Sequence, residues 1–341
     1  MKKLNIKILL LSIIIFSNDF FGKEFDQIFQ VYTPISNSSE IEKSINNSFN
    51  IMIYRLSGSQ SPSNIWKIIN AGNTRKDFIK SYSLRNIEGD SYLEVVFNKD
   101  YLIKVFNKLS IPIVGNARPV ILFKITIDSG AKNPYLVSSF TQNNNLESKI
   151  NKFLKHTSLS RGVFLELPEL DLFDFIEIEK YKKLINVEER FSLQYQYDFL
   201  SEINIVKIGP NNWSVSGDIA FEFNDGDFEN FFMNEFDSFV NKKIDYLLQK
   251  KLIDTAIVSN LDVTFENINS YEDYKNLKKI INGLIGIKST NMSKFDNNII
   301  NYDIEIYGGL INFVNEISDN SYLNIISFNV TESEIIMSFE P

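Results

Sequence analysis

The stretch Ser259–Gly283 reads SNLDVTFENINSYEDYKNLKKIING and contains the most regular pattern in the chain. Its apolar residues first alternate with polar ones, as in a strand with one buried face: Leu261, Val263 and Phe265. Ser270 and Asp273 then form a capping-box pattern with Asp in the Glu position. The residues that follow recur at helical spacing: Tyr274, Leu277 and Ile281. A strand followed by a helix is therefore predicted.

The residues after this unit extend the pattern to the end of the chain. Two adjacent strands, a second helix and two closing strands are predicted, at Ile285–Phe295, Ile300–Ile306, Leu310–Ile317, Tyr322–Phe328 and Glu334–Phe339. The order is βαββαβ with an extra strand. This order is typical of a ferredoxin-like sandwich, in which helices cover one face of an antiparallel sheet.

Residues 23–135 predict a first module of mixed helices and strands. One helix is expected to be capped by Ser39 and to end before Ser57–Ser59 (SGS), and a second helix is expected to be capped by Asp100. The predicted strands of this module are Tyr92–Phe97 and Val120–Ile127.

Residues 136–256 predict a second module. Its elements are a helix ending near His156, a strand Gly162–Leu167, a helix near Val187–Tyr195, a hairpin of Asp198–Ile208 with Trp213–Phe223, and a helix burying Phe236 and Ile244. Three phenylalanines precede the buried residues of that helix, namely Phe228, Phe231 and Phe232. They are expected either to form a surface that binds a partner or to line the hydrophobic core. The sequence thus predicts an α+β protein of three consecutive modules, 23–135, 136–256 and 257–341.

Residues 1–22 have the pattern of a secretory signal peptide. Three lysines give a positive amino-terminal region, and Ile8–Phe16 (ILLLSIIIF) is apolar except for one serine. A helix of this apolar stretch would span roughly 13 Å at about 1.5 Å per residue, less than half of a bilayer core of about 30 Å. We therefore expect export to the periplasm, with no membrane span after cleavage.

Signal cleavage is expected after Ser17 or after Gly22. The first position fits better, because the second would place the bulky Phe20 three residues before the cut. Removal of residues 1–22 takes away three lysines and one aspartate, so the formal charge falls from −8 to −10. An acidic chain without a run of Lys and Arg is not expected to bind nucleic acid.

Familiar catalytic patterns do not occur in the sequence. The chain has no cysteine, its only histidine is His156, and it contains no nucleophile elbow, P-loop or dinucleotide fingerprint. We therefore assign no catalytic, cofactor-binding or metal-binding residues and predict a protein that is not an enzyme.

Arg118 is the first candidate structural or binding residue. It lies in the turn Gly115–Pro119 (GNARP), where its guanidinium is expected to bind backbone carbonyls or a carboxylate. Binding of a small anionic ligand is the alternative.

The acidic corner after Gly162–Leu167 supplies further candidates. We expect Asp171 and Asp174 to cap the next helix or to accept hydrogen bonds from Arg161. The alternative is that these carboxylates hold a hard cation or act as an acid and base pair, as in a hydrolase of envelope polymers.

Four segments resemble the bacterial domain-of-unknown-function family 2066, whose members are exported by Gram-negative bacteria: Ile53–Ser59 (IYRLSGS), Leu93–Phe97, Ser110–Pro119 (SIPIVGNARP) and Arg161–Asp174 (RGVFLELPELDLFD). Val114 stands where typical members have a tryptophan. The middle module also resembles the amino-terminal domain of the periplasmic protein TolB and related envelope assembly proteins. The resemblance implies that the protein is exported, but it does not imply any particular activity. We expect an adaptor or assembly factor that contacts envelope proteins through sheet edges or aromatic patches.

Overall fold

The computed structural model describes residues 22–25, 27–87, 90–130, 133–140, 145–169, 195–224, 226–318 and 320–340. Over these residues the chain has an α+β fold with seven α-helices. The helices are α1 (Ile41–Ser57), α2 (Ser63–Asn70), α3 (Lys99–Lys108), α4 (Asn145–Arg161), α5 (Phe228–Lys250), α6 (Tyr271–Gly283) and α7 (Leu310–Ile317).

The strands fall into four sheets. They are β1 (Gly22–Glu24), β2 (Gln30–Pro34), β3 (Ile79–Ile87), β4 (Asp90–Phe97), β5 (Ile113–Val114), β6 (Ala117–Asp128), β7 (Tyr135–Leu136), β8 (Phe164–Glu166), β9 (Phe199–Lys207), β10 (Asn212–Gly217), β11 (Phe221–Asn224), β12 (Leu252–Ile253), β13 (Val258–Glu266), β14 (Ile287–Asp296), β15 (Ile299–Tyr307), β16 (Leu323–Asn329) and β17 (Glu334–Phe339).

The first sheet has the order β2-β4-β3 and is covered by α1. The predicted helix face of α1 is confirmed, since Phe49, Met52 and Ile53 are fully buried. The predicted cap of α3 is wrong, because Asn98 and not Asp100 accepts the hydrogen bond from the Tyr101 amide, at 3.1 Å. Asn98 has an extended backbone, so its side-chain oxygen can accept a hydrogen bond from an amide of the first turn. Asp100 already lies inside that turn.

The predicted strand Val120–Ile127 is present as β6, but it does not belong to the β2-β4-β3 sheet of the first module. It pairs in parallel with β8 and β9, and in antiparallel fashion with β1 and β7, in a seven-stranded sheet that continues through β10 and β11. The first seven residues of β6 are all buried, so this strand needs neighbours on both sides and cover on both faces.

The predicted second strand of the hairpin, Trp213–Phe223, is wrong as a single element. It folds back on itself, so that β10 pairs with β11 as well as with β9. Gly217 causes the break, because its φ is +107° and a Cβ there would lie 2.1 Å from the carbonyl oxygen of Glu202.

Helix α5 covers this sheet, and its first turn decides the role of the three phenylalanines. Phe232 is fully buried, Phe228 stacks on Trp213 with ring centroids 4.4 Å apart, and Phe231 is 39% exposed. The aromatic cluster is therefore mainly a core wall.

The last sheet has the order β14-β15-β13-β17-β16, and α6 and α7 contribute to its buried core. The predicted order of elements is confirmed for residues 258–339. The extra strand β17 lies beside β13 and parallel to it, while β16 is displaced to the edge. Burial explains why β17, and not β16, lies next to β13. Strand β17 buries Ile335, Met337 and Phe339, whereas most of β16 is exposed.

Candidate binding site

The predicted turn position of Arg118 is wrong, because this residue is the second of strand β6 and its side chain is fully buried. Its guanidinium donates to the carbonyl oxygen of Arg55 at 2.8 Å and to that of Val114 at 3.1 Å. Burial, together with the nearby charge of Arg55, lowers the pKa of Arg118 to about 9. The side chain fastens the preceding turn to the end of α1, and it has no exposed surface from which to meet a dissolved anion.

Arg55 belongs to the same region and was not identified from the sequence. It donates to the carbonyl oxygens of Ile28 at 2.7 Å, Gln30 at 2.8 Å and Leu159 at 2.5 Å. Burial lowers its pKa to about 10. A Cβ at Gly162 would lie 2.7 Å from the Arg55 side chain, and the φ of +61° there also favours glycine.

Arg161, at the end of α4, is almost fully buried and contacts α5. It donates to Asp245 at 2.5 Å, to the Asn241 side chain at 3.1 Å and to the Gly58 carbonyl oxygen at 3.4 Å. Asp245 is a carboxylate partner that the sequence reasoning missed, because it lies on a helix far along the chain.

These three residues, Arg55, Arg118 and Arg161, form what we call the arginine cluster. Their acceptors include carbonyls that a helix end leaves without an intrahelical donor, at the ends of α1 and α4. A positive charge is also favourable at a helix carboxyl end. The sequence signal is an arginine next to Gly or Pro where a helix or turn ends, as in RLSG, NARP and SRG.

The other residues singled out from the sequence are either outside the described part of the chain or placed away from this cluster. Asp171, Asp174 and most of the predicted helix Val187–Tyr195 lie outside the described residues. Glu166, the last residue of β8, pairs with Lys23 at 2.5 Å. His156 is exposed on α4, and no group of three metal-ligating side chains occurs among the residues that the structure describes.

Glu94, in β4, is a buried carboxylate held by hydrogen bonds from two neighbouring strands. It accepts hydrogen bonds from Ser83 at 2.7 Å, Arg85 at 2.7 Å and Tyr32 at 3.1 Å. These bonds lower its pKa to about 2. Since the donors lie on β2 and β3 and the acceptor on β4, the network ties the strands of the first sheet together.

Glu316, in α7, connects the last module to the turn before β6. Its buried carboxyl accepts hydrogen bonds from the amides of Ile285 at 2.9 Å, Gly286 at 3.1 Å and Asn116 at 3.3 Å. Burial raises the pKa of Glu316 against the lowering effect of these bonds.

Lys99 makes a second connection between the same parts of the chain. Its ammonium group donates to three carbonyl oxygens at the end of α6, those of Asn282 at 2.7 Å, Gly283 at 2.9 Å and Leu284 at 3.2 Å. Ile285 and Tyr307 also pack in the hydrophobic core of the first module. The last sheet is therefore docked against the first module by polar and apolar contacts.

This docking leaves β14 as an open edge of the last sheet. The strand pairs only with β15 among the described residues, and every residue after Ile287 is exposed. An edge strand has a row of backbone amide and carbonyl groups without a sheet partner, and such a row can pair with another chain.

An aromatic groove of about 510 Å³ lies at the carboxyl end of β14. It runs between that strand and the start of α6, and its apolar lining includes Ile268, Tyr271, Tyr274, Met292 and Phe295. Tyr271 is 78% exposed and Phe295 is 58% exposed, so this apolar surface is not covered by the described chain.

A basic groove of about 460 Å³ lies at the other end of β14, against α3. Four lysines and one aspartate line it, namely Lys99, Lys104, Lys108, Lys288 and Asp100. Its floor is apolar and includes Ile103 and Ile287. The two grooves and the open edge between them form our candidate binding site.

Comparison with protein-family models, with curated proteins and with solved structures gives no match for this chain. The resemblance to the exported family and to the TolB domain therefore stays a prediction. Within the described residues, none of the helices has the length and apolar character needed to cross a bilayer.

The arginine cluster predicts a large loss of stability when Arg118 is replaced by alanine. The substitution removes the guanidinium that donates to the buried carbonyls of Arg55 and Val114 and leaves a cavity in its place, and we expect the free energy of unfolding to fall by about 2–4 kcal/mol. Urea denaturation measures the change. The matched control is Lys43→Ala on the exposed side of α1, which should change stability by less than about 0.5 kcal/mol. Equal effects of the two substitutions would contradict a structural role for the cluster.

Glu316 predicts a pH-dependent difference between the wild type and the Glu316→Gln variant. Because its pKa is raised by folding, the stability it contributes is complete below its unfolded pKa of about 4.3 and is lost as pH rises through the folded pKa. As pH rises from about 5 toward the folded pKa, stability should therefore shift in favour of the variant, as urea denaturation at each pH would show.

Glu305→Gln is the control for that measurement. Hydrogen bonding from Ser289 and the charge of Lys288 lower the pKa of Glu305, so its titration falls below the same pH window. A difference for Glu316→Gln that stays constant across the window would contradict the raised pKa.

Proposed function

We propose that the protein is an exported, non-enzymatic adaptor or assembly factor of the cell envelope, which binds a partner protein in the periplasm. The observation that carries the proposal is the open edge of β14 with a groove at each end. Exposed sheet edges and apolar grooves are features by which proteins bind extended segments of other proteins.

The way the last sheet is held also supports a binding role. The carboxyl of Glu316 and the ammonium of Lys99 hold the residues that lead into β14, at positions 282–286, against the rest of the chain. A binding surface that is held in place before its partner arrives loses less conformational entropy on association. The site is therefore suited to binding without rearrangement.

The resemblance to the exported family is part of the same proposal. Three of the four segments that carry it contain the arginine cluster: Ile53–Ser59, Ser110–Pro119 and Arg161–Asp174. Their unusual combination of turns and charges has a physical explanation, since each arginine binds carbonyls at a helix end or turn. On this account the shared segments maintain a scaffold, and binding takes place elsewhere.

Two alternatives from the sequence gain no observation from the described residues. A hydrolase that uses Asp171 and Asp174 depends on residues outside them. An anion binder centred on Arg118 would need an accessible guanidinium, and that of Arg118 is fully buried against carbonyls. The proposal therefore rests on the β14 edge.

Export predicts a mature amino terminus at Asn18. Cleavage after Ser17 keeps all of β1, whose Gly22 pairs with Pro119, and it fits the processing pattern better than cleavage after Gly22. Amino-terminal sequencing of the protein from a periplasmic fraction measures this. A chain that still starts at Met1 and remains in the cytoplasm would contradict export.

Partner binding at β14 predicts a position-dependent photo-crosslink in the native envelope. A photoreactive phenylalanine analogue replaces Met292 in the aromatic groove, and ultraviolet light should then give a discrete crosslinked protein on a denaturing gel. The matched control places the analogue at Tyr82, which is 56% exposed on the edge strand β3 of the first sheet.

The expected result is a band from position 292 that is absent from position 82. No band from position 292, or the same band from both positions, would contradict binding at this edge. Mass spectrometry of the band then identifies the partner.

A further inference from the structure

The two grooves belong to one open strand, and this arrangement restricts the chemistry of the partner. We propose that β14 binds an extended peptide segment of the partner protein, with acidic residues at one end and an aromatic or large aliphatic residue at the other. This inference rests on the proposed function and specifies its ligand.

The basic groove determines the acidic end of the segment. In a chain of net charge −8, four of the five charged residues that line this groove are lysines. Lys99 is engaged with carbonyls and Lys288 lies 3.5 Å from Glu305, whereas Lys104 and Lys108 have no ion pair in the described part of the chain. Lysines four residues apart on a helix repel each other, and an anion between them would relieve that repulsion.

The aromatic groove determines the apolar end. Met292 and Phe295 lie opposite the buried residues Tyr302 and Ile300 of β15, so their side chains are on the helix-covered face of the sheet. Ile287, in the basic groove, is opposite Ile306 and lies on that same face. Alternate side chains of a strand added to β14 would therefore point toward both grooves.

The length of β14 sets the spacing of the two ends. From Lys288 to Phe295 a strand extends about 23 Å at about 3.3 Å per residue. The pairing with β15 is irregular between Ile287 and Ser289 and again between Met292 and Lys294. The regular part is therefore short, and we expect most of the specificity to come from the two grooves.

A peptide explains this surface better than a lipid headgroup and acyl chain would. Lipid could place a phosphate in the basic groove and a tail in the aromatic groove, but an acyl tail cannot satisfy the open amide and carbonyl groups between them. The groove beside another exposed edge strand, β3, is a weaker candidate. Its Lys76 is already paired with Glu42 at 3.1 Å.

Fluorescence anisotropy with the purified mature protein and synthetic peptides tests the inference. The probe is a labelled peptide of about twelve residues, long enough to cover β14. It carries phenylalanine near one end, alternating threonine and valine in the middle and aspartates near the other end. A second probe has the reverse order, since strands add in either direction. The control peptide has lysines in place of the aspartates.

We expect one of the two acidic probes to bind, and the lysine control to bind at least about tenfold more weakly. The Lys104→Glu/Lys108→Glu double variant should weaken the acidic probe by at least about tenfold, because it reverses two charges of the basic groove. Phe295→Ser should weaken it as well, whereas Tyr82→Ser on β3 should not. Circular dichroism checks that each variant is folded.

N-methylated probes test whether the backbone pairs with β14. Only alternate residues of an added edge strand direct their amide toward the neighbouring strand. Two versions of the binding probe are therefore methylated on alternate amides, in opposite phase. One version should lose binding and the other should retain it. Retention by both would overturn strand addition.

Failure of the inference is distinguishable from failure of the proposed function. If position 292 crosslinks a partner but neither acidic probe binds, the partner uses another chemistry and the peptide inference is wrong. Binding of phosphatidylglycerol vesicles that the double variant abolishes, with no peptide binding, would overturn it in favour of a lipid surface.

Discussion

Three guanidinium groups are buried where α1 and α4 end, and the packing of the first two modules depends on them. Charged groups are expensive to transfer from water, and the cost of burying these three is offset by their hydrogen bonds to carbonyl oxygens. The hydrogen bonds form a chain. The guanidinium of Arg118 donates to the carbonyl oxygen of Arg55, and the guanidinium of Arg55 donates to the carbonyl oxygen of Leu159 in α4. Each arginine therefore stabilises a contact between segments that are distant in sequence.

The same region positions the last sheet. The turn before β6 bears Asn116, whose amide donates to Glu316, and Arg118 ties that turn to the end of α1. Ile285, which follows α6, packs in the core of the first module. Through these contacts the last sheet is attached along the side near α3, and β14 remains open between the two grooves. The scaffold and the candidate binding site are thus consequences of one set of buried polar contacts.

Local rules were sufficient for elements whose residues carry their own signal. The helical spacing in α1 and the Ser270 cap of α6 were readable because the interactions lie within one turn. The division of Trp213–Phe223 into two strands could not be predicted in this way, because the constraint on Gly217 comes from the carbonyl of Glu202 on another strand. The sheet to which β6 belongs was also missed, since periodicity shows that a strand is buried but does not show which strands pair with it.

The site was less predictable than the fold. Arg118 and Arg161 stood out beside turns, but Asp245, the carboxylate partner of Arg161, lies 84 residues farther along the chain and no local pattern connects the two. The basic groove likewise joins α3 to β14, which only the docked structure brings together. The roles predicted for Asp171 and Asp174 stay predictions, because those residues lie outside the described part of the chain.

The central claim is that β14 completes its hydrogen bonding with a strand from a partner. Hydrogen exchange of the β14 amides, measured for the free mature protein and for its complex with the crosslinked partner, tests this most directly. The account predicts that alternate amides between Ser289 and Met292 exchange rapidly in the free protein and slowly in the complex, while those of β3 are unchanged. Equal exchange of the β14 amides in both states, or protection already present in the free protein, would contradict it.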